Sequence, residues 1–127
     1  MILLDSHIVL TALGLADIKL APEMHREMTN HENVYVSVAS IWELAIKYRL
    51  GKLGLSVPPQ FLADLLERLN IEVLPVHARH AVADVGSEPA TKDPFDRLLL
   101  GVCAAEGMKL LTIDRDLVNH PLAWRAS

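Results

Sequence analysis

A single cysteine, Cys103, cannot close an internal disulfide, and its apolar surroundings from Leu98 to Ala105 read as core packing rather than the setting of a nucleophile. That usage predicts a reducing, cytoplasmic location. No apolar run approaches the length of a membrane span, and Met1-Ile2-Leu3-Leu4-Asp5 lacks the basic start of a signal peptide. Aromatic residues are scarce, at 5%, so the 51% of hydrophobic residues consists mainly of Leu, Val, Ile and Ala. This is the usual filling of a layered α/β core, and there is enough of it to exclude a disordered chain. A basic excess is also missing: the formal net charge is -4, which argues against a plain RNA-binding module that relies on phosphate neutralisation. It argues less against a nuclease whose carboxylates work with bound cations. There is no Gly-rich phosphate loop, no nucleophile elbow, no internal repeat and no low-complexity tract. His77 and His80 stand three apart without further ligands in the pattern, and read as surface or packing histidines rather than a zinc site.

What is present is an alternation of short apolar runs and amphipathic stretches, and 127 residues fit one domain, 1–127. Ile2 to Leu4 reads as a buried strand, followed by a short helix or turn from Ser6 to Gly14. Pro22 opens a helix to about Asn30. Val34 to Val36 is a second strand. From Ser37 the residues Val38, Ile41, Trp42, Ala45, Ile46 and Tyr48 recur at helical spacing until Gly51. Leu53 to Pro59 is a loop. Phe61 to Leu69 is amphipathic, Ile71 to Val76 is a third strand, and His77 to Val85 is a short helix before the polar loop Gly86 to Lys92. Asp93-Pro94 opens a helix through Ala105 that Gly107 closes, and Met108 to Thr112 is a fourth strand. A last short helix and an edge strand over Leu122 to Trp124 complete the reading. The class is α/β, a three-layer α/β/α sandwich with a mainly parallel sheet.

In such sheets chemistry gathers beyond the carboxyl ends of the strands, and four acids obey that rule. Asp5 follows the first strand and Asp114 the fourth, Asp96 lies in the first turn of a helix, and Glu43 lies two turns into another. Each acid also has a structural reading. Asp5 can end a strand in a turn, Glu43 can close a capping box with Ser40, Asp96 can complement a helix dipole, and Asp114 and Asp116 can start the final helix. Asp93 before Pro94 reads as an N-cap. The joint placement of Asp5, Glu43, Asp96 and Asp114 at strand ends points to an acidic metal site in an α/β domain. Carboxylates packed together repel one another, and some take up protons unless a cation intervenes. Mg2+ and Mn2+ are hard ions that prefer such oxygen ligands.

Four segments then stand in a telling order: Leu3-Leu4-Asp5-Ser6-His7, Ser37 to Lys47 with Ile41-Trp42-Glu43-Leu44, Asp93-Pro94-Phe95-Asp96-Arg97-Leu98-Leu99, and Leu111-Thr112-Ile113-Asp114. The chain resembles, over essentially its whole length, a PIN domain of the VapC-type toxin family, the ribonuclease half of bacterial toxin–antitoxin modules. The resemblance implies that Asp5, Glu43, Asp96 and Asp114 form an acidic quartet for Mg2+ or Mn2+. It gives Asp116 an outer-shell role and Ser6 and Thr112 supporting roles beside the first and last acids. Ser37 and Ser40 would orient the second helix. Lys47 and Arg97 become phosphate or structural contacts, while Trp42, whose helical neighbours are apolar, is assigned to the core. Further implications are hydrolysis of RNA to a 3′-hydroxyl and a 5′-phosphate, a homodimer, and a cognate antitoxin that blocks the groove with an Arg aimed at the carboxylates. Two departures stand out, Thr91 where relatives often carry His and Thr11 where they often carry Trp. Neither removes a metal ligand. Two other classes share parts of this pattern: a receiver-like phospho-signalling domain, which the lack of an Asp after the third strand disfavours, and a non-catalytic PIN-like partner-binding protein.

Overall fold

The first strand, β1 (Ile2–Leu4), is buried along its whole length because both of its faces meet helices. In the computed structural model, which describes residues 1–30 and 32–126, β1 is followed by α1 (Ser6–Ala12), α2 (Pro22–Met28), β2 (Val34–Ser37) and α3 (Val38–Arg49). A 3-10 turn over Pro59–Phe61 then leads into α4 (Leu62–Arg68), β3 (Glu72–Leu74), α5 (Ala78–Ala81), α6 (Pro94–Glu106) and β4 (Lys109–Leu111). The four strands lie in the order β3-β2-β1-β4 and all their pairings are parallel.

Alternation along β1 divides the core in two. Ile2 and Leu4 pack with Ile8 and Val9 of α1, Met28 of α2, and Leu62 and Leu66 of α4. Leu3 faces the other way, toward Leu99, Leu100, Val102 and Cys103 of α6. This is the expected α/β/α arrangement. Cys103 is fully buried, and that burial pushes its thiol up to about 12. It is a core residue, as the apolar stretch around it predicts. No helix among the described residues is long and apolar enough to cross a membrane.

The register aligns the carboxyl ends that matter. Leu4 pairs with Leu111, so Asp5 and Thr112 emerge side by side, and the Asp5 amide donates to the Leu111 carbonyl at 3.0 Å. Leu3 pairs with Tyr35, which brings Ser37 and the start of α3 to the same edge. The two long helices start on sequence-encoded caps: Ser37 Oγ accepts from the Ala39 amide at 3.0 Å, and the Asp93 carboxylate accepts from the Phe95 amide at 2.9 Å. Gly107 closes α6 in the left-handed region, at φ 69°.

Three expectations are corrected. The final short helix does not form. The chain after Asp114 makes a turn, with the Leu117 and Val118 amides bonded to the Asp114 carbonyl, because Pro121 and the return to the sheet leave no room for a second helical turn. The strand expected over Leu122 to Trp124 is reduced to one parallel bridge between Ala123 and Leu110, on the outer side of β4. The cap of α3 is Ser37, not Ser40. The Ser40 hydroxyl is buried and finds no hydrogen-bond partner among the described residues.

Candidate active site

Asp5 leaves β1 directly into α1 and serves as that helix's N-cap, its Oδ1 accepting from the Ser6 amide at 2.7 Å. Its other oxygen accepts from the Thr112 hydroxyl at 2.6 Å. The same hydroxyl accepts from the Asp114 amide at 3.0 Å, so Thr112 links the ends of two neighbouring strands to two of the acids. Burial raises the Asp5 pKa above the ordinary carboxylate value, although the hydrogen bonds from Thr112 and Ser6 work against the rise.

Glu43 reaches the same edge from α3, as its length and position predict. Its Oε1 accepts from the Ser6 hydroxyl at 2.5 Å, and its Oε2 pairs with Lys47 Nζ at 2.9 Å, one turn further along the helix. Ser6 therefore touches both Asp5, through its amide, and Glu43, through its hydroxyl. Lys47 carries the opposing charge. Burial disfavours its ammonium form, but Glu43, with Asp93 and Asp96 behind it, raises its pKa above the usual lysine value.

Asp96 lies in the first turn of α6. Only 7% of it is exposed, and its pKa is raised to about 7, first by burial and then by the charges of Asp93, Asp5, Asp114 and Glu43. Asp5 and Glu43 are as deeply buried, at 3% and 5%. Asp114 is partly exposed at the rim, and its Oδ1 accepts from the Asp116 amide at 2.8 Å. The structure thus brings Asp5, Glu43, Asp96 and Asp114 within each other's fields at one sheet edge. Asp116 contributes a backbone amide there, and its own side chain lies in solvent.

Other residues take the structural reading. Arg97 gives its Nε to the Glu88 carboxylate at 2.9 Å and its Nη2 to the Ala83 carbonyl at 2.9 Å. Asp93 is the N-cap of α6, but it also adds to the field on Asp96. His77 is exposed and His80 is buried between α5 and α6, accepting from the His77 amide at 3.0 Å and bonding Glu106 at 2.7 Å. Trp42 is not a core residue. The residue is 57% exposed, and its ring meets Phe95 edge-on, with centroids 5.3 Å apart. The buried face of α3 is Ala39, Ser40, Glu43 and Leu44, and that phase turns position 42 outward. The phase, more than the count of apolar neighbours, was the available signal.

The donor set fits a hard divalent cation. All four groups are carboxylates, they are remote in sequence and gathered in space, and burial together with their mutual repulsion raises the pKa of Asp96 to about 7. Among the described residues no group of three acidic, histidine or cysteine side chains encloses a single ion position as placed. The oxygens of Asp5 and Glu43 are turned to Thr112, Ser6 and Lys47 instead.

Comparison with known proteins agrees with this geometry. The family described as PIN domain matches residues 2–121. No curated protein matches the chain. PIN domains are a family of nucleases, and PIN nucleases generally use a divalent metal.

Proposed function

This chain belongs to the PIN-domain family, and from that premise we propose that it is a metal-dependent endoribonuclease, the toxin of a toxin–antitoxin pair. The observation that carries the nuclease reading is the convergence of Asp5, Glu43, Asp96 and Asp114 at one sheet edge, with Asp96 held at about 7 by burial and its neighbours. Such a site has a demand for positive charge built into it.

Asp5, Glu43, Asp96 and Asp114 are the residues that would hold Mg2+ or Mn2+. The bound ion supplies a Lewis acid for the phosphodiester and lowers the pKa of an attacking water. Thr112 and Ser6 fix the Asp5 carboxylate from two sides, which pre-orients it. Lys47 holds Glu43 and sits near Asp93 and Asp96, so its ammonium is positioned to approach a phosphate when Glu43 turns away. In-line hydrolysis would leave a 3′-hydroxyl and a 5′-phosphate.

The toxin role, an antitoxin that covers the acids with a basic side chain, and a homodimer rest on the likeness of the Asp93-to-Leu99 and Ile41-to-Leu44 segments to VapC-type toxins. The decisive experiment incubates the purified protein with single-stranded and structured RNAs in Mg2+ or Mn2+. Cleavage that EDTA abolishes, and that Asp5→Ala and Asp96→Ala abolish in folded protein, is expected. Cleavage that persists through either treatment overturns the reading. Co-expression with the small protein encoded next to it, followed by recovery of an inactive complex, tests the toxin role separately.

A further inference from the structure

Two neighbouring pairs of residues span the seam where α3 packs on α6. The inner pair is Glu43 and Asp96, both buried. The outer pair is made by the residues immediately before them, Trp42 and Phe95, whose rings meet at an interplanar angle of 72°. An exposed Trp42, backed by a half-buried Phe95, therefore lies next in sequence to two of the buried acids. Trp42 leaves 57% of its surface open, and Val38, one turn earlier on α3, is also exposed.

An exposed indole has a desolvation incentive that a monomeric surface leaves unmet. Electrostatics near the site does not favour a nucleic-acid strand. The chain is acidic overall, at -4, and Lys47 and Arg97 are already paired with Glu43 and Glu88. A strand placed for hydrolysis there needs affinity from a source other than phosphate neutralisation. Every nucleotide carries a flat base close to its phosphodiester, and stacking of that base on an aromatic ring is tolerant of sequence. We propose that Trp42, braced edge-on by Phe95, is a stacking platform for a nucleobase next to the scissile phosphodiester of a single-stranded RNA. This rests on the nuclease reading for the identity of the substrate. Trp42 would be a positioning residue with no part in bond cleavage.

The test uses a protein whose other tryptophan is removed, Trp124→Phe, in an Asp5→Asn background that slows cutting. Titration with a short single-stranded oligoribonucleotide in Mg2+ is expected to quench the emission of Trp42. An abasic strand of equal length should bind about tenfold more weakly or worse, as should the natural strand to a Trp42→Ala protein, each followed by anisotropy of a labelled strand. In the active enzyme Trp42→Ala should raise KM about tenfold with kcat nearly unchanged, and Trp42→Phe should recover most of the loss. Saturation without quenching, equal binding of the abasic strand, or a wild-type KM in Trp42→Ala overturns the platform while leaving the nuclease intact. Conversion of a dimer to a monomer by Trp42→Ala in sedimentation also overturns it, and assigns the indole to a second copy of the chain. Quenching and base-dependent binding without any cleavage support the platform and sink the nuclease instead.

Discussion

Asp96 shows how one side chain can be set against itself. Its pKa is raised from 3.8 to about 7, so the folded protein binds a proton there that the unfolded chain has already released over that interval. More protons on the native state means that stability falls as pH rises between those values, and the deficit is complete above about 7. Asp96→Asn removes the charge and keeps the shape. It is expected to raise Tm by several degrees at pH 8 and to change it little at pH 4, while divalent-ion binding is lost. A thermal melt series across pH, wild type against Asp96→Asn, checks this, and a variant that is less stable at pH 8 contradicts it. In the wild type, ion affinity should climb up to about pH 7 as Asp96 gives up its proton. Thr112 offers the complementary case. Its hydroxyl donates to Asp5 and accepts from the Asp114 amide, so Thr112→Val strips the donor from Asp5 Oδ2 and leaves the carboxylate with the Ser6 amide on Oδ1. The Asp5 pKa should rise further, and stability should drop by about 1–3 kcal/mol, read by carboxylate NMR titration and denaturant melts.

At the scale of the element, α5 and α6 approach each other so closely that only glycine fits at position 101. A Cβ there would lie 2.1 Å from the His80 carbonyl oxygen, which is backbone and cannot step aside. Gly101→Ala is therefore expected to destabilise by about 2 kcal/mol or more despite the higher helix propensity of alanine. Chemical denaturation measures it, and an unchanged midpoint would show that α5 can move. The turn of α5 is otherwise pinned by His80 and Arg79 on Glu106. The elements themselves were readable in the sequence where chemistry marked their ends. Pro22, Ser37, the Asp93-Pro94 pair and Gly107 each fixed a boundary that the structure keeps. The reading failed where length decided. After Asp114 the residues have helical character, yet Pro121 and the bridge from Ala123 to Leu110 cut the segment to a turn. Ser40 failed for a related reason: a Ser three before a Glu matches a capping box, but the helix had begun at Ser37, and Glu43 was free to turn to Ser6 and Lys47.

At the scale of the whole molecule, parallel topology explains why four acids remote in sequence were legible as neighbours at one sheet edge. All strands run the same way, so residues following β1 and β4 share an edge, and helices following β2 and preceding β4 begin near it. What no pattern of residues could give is the balance of charge at that edge. Lys47 and the donors Ser6 and Thr112 already satisfy part of the cluster, and Asp96 is left with a field from four carboxylates. If those carboxylates are there to hold a divalent ion, then the ion binds the native state and not the unfolded chain, and must stabilise the fold as a whole. Saturation at about a hundredfold excess over Kd corresponds to about 2.7 kcal/mol. Mg2+ or Mn2+ should thus raise the wild-type Tm by several degrees at pH 8 and by less at pH 5, where Asp96 retains its proton. Asp5→Asn and Asp96→Asn should lose most of the shift, whereas Asp116→Asn, whose side chain lies in solvent, should keep it. A shift of equal size in all of these proteins would mean that the ions act on general surface charge, and the four acids would then have no special claim on them.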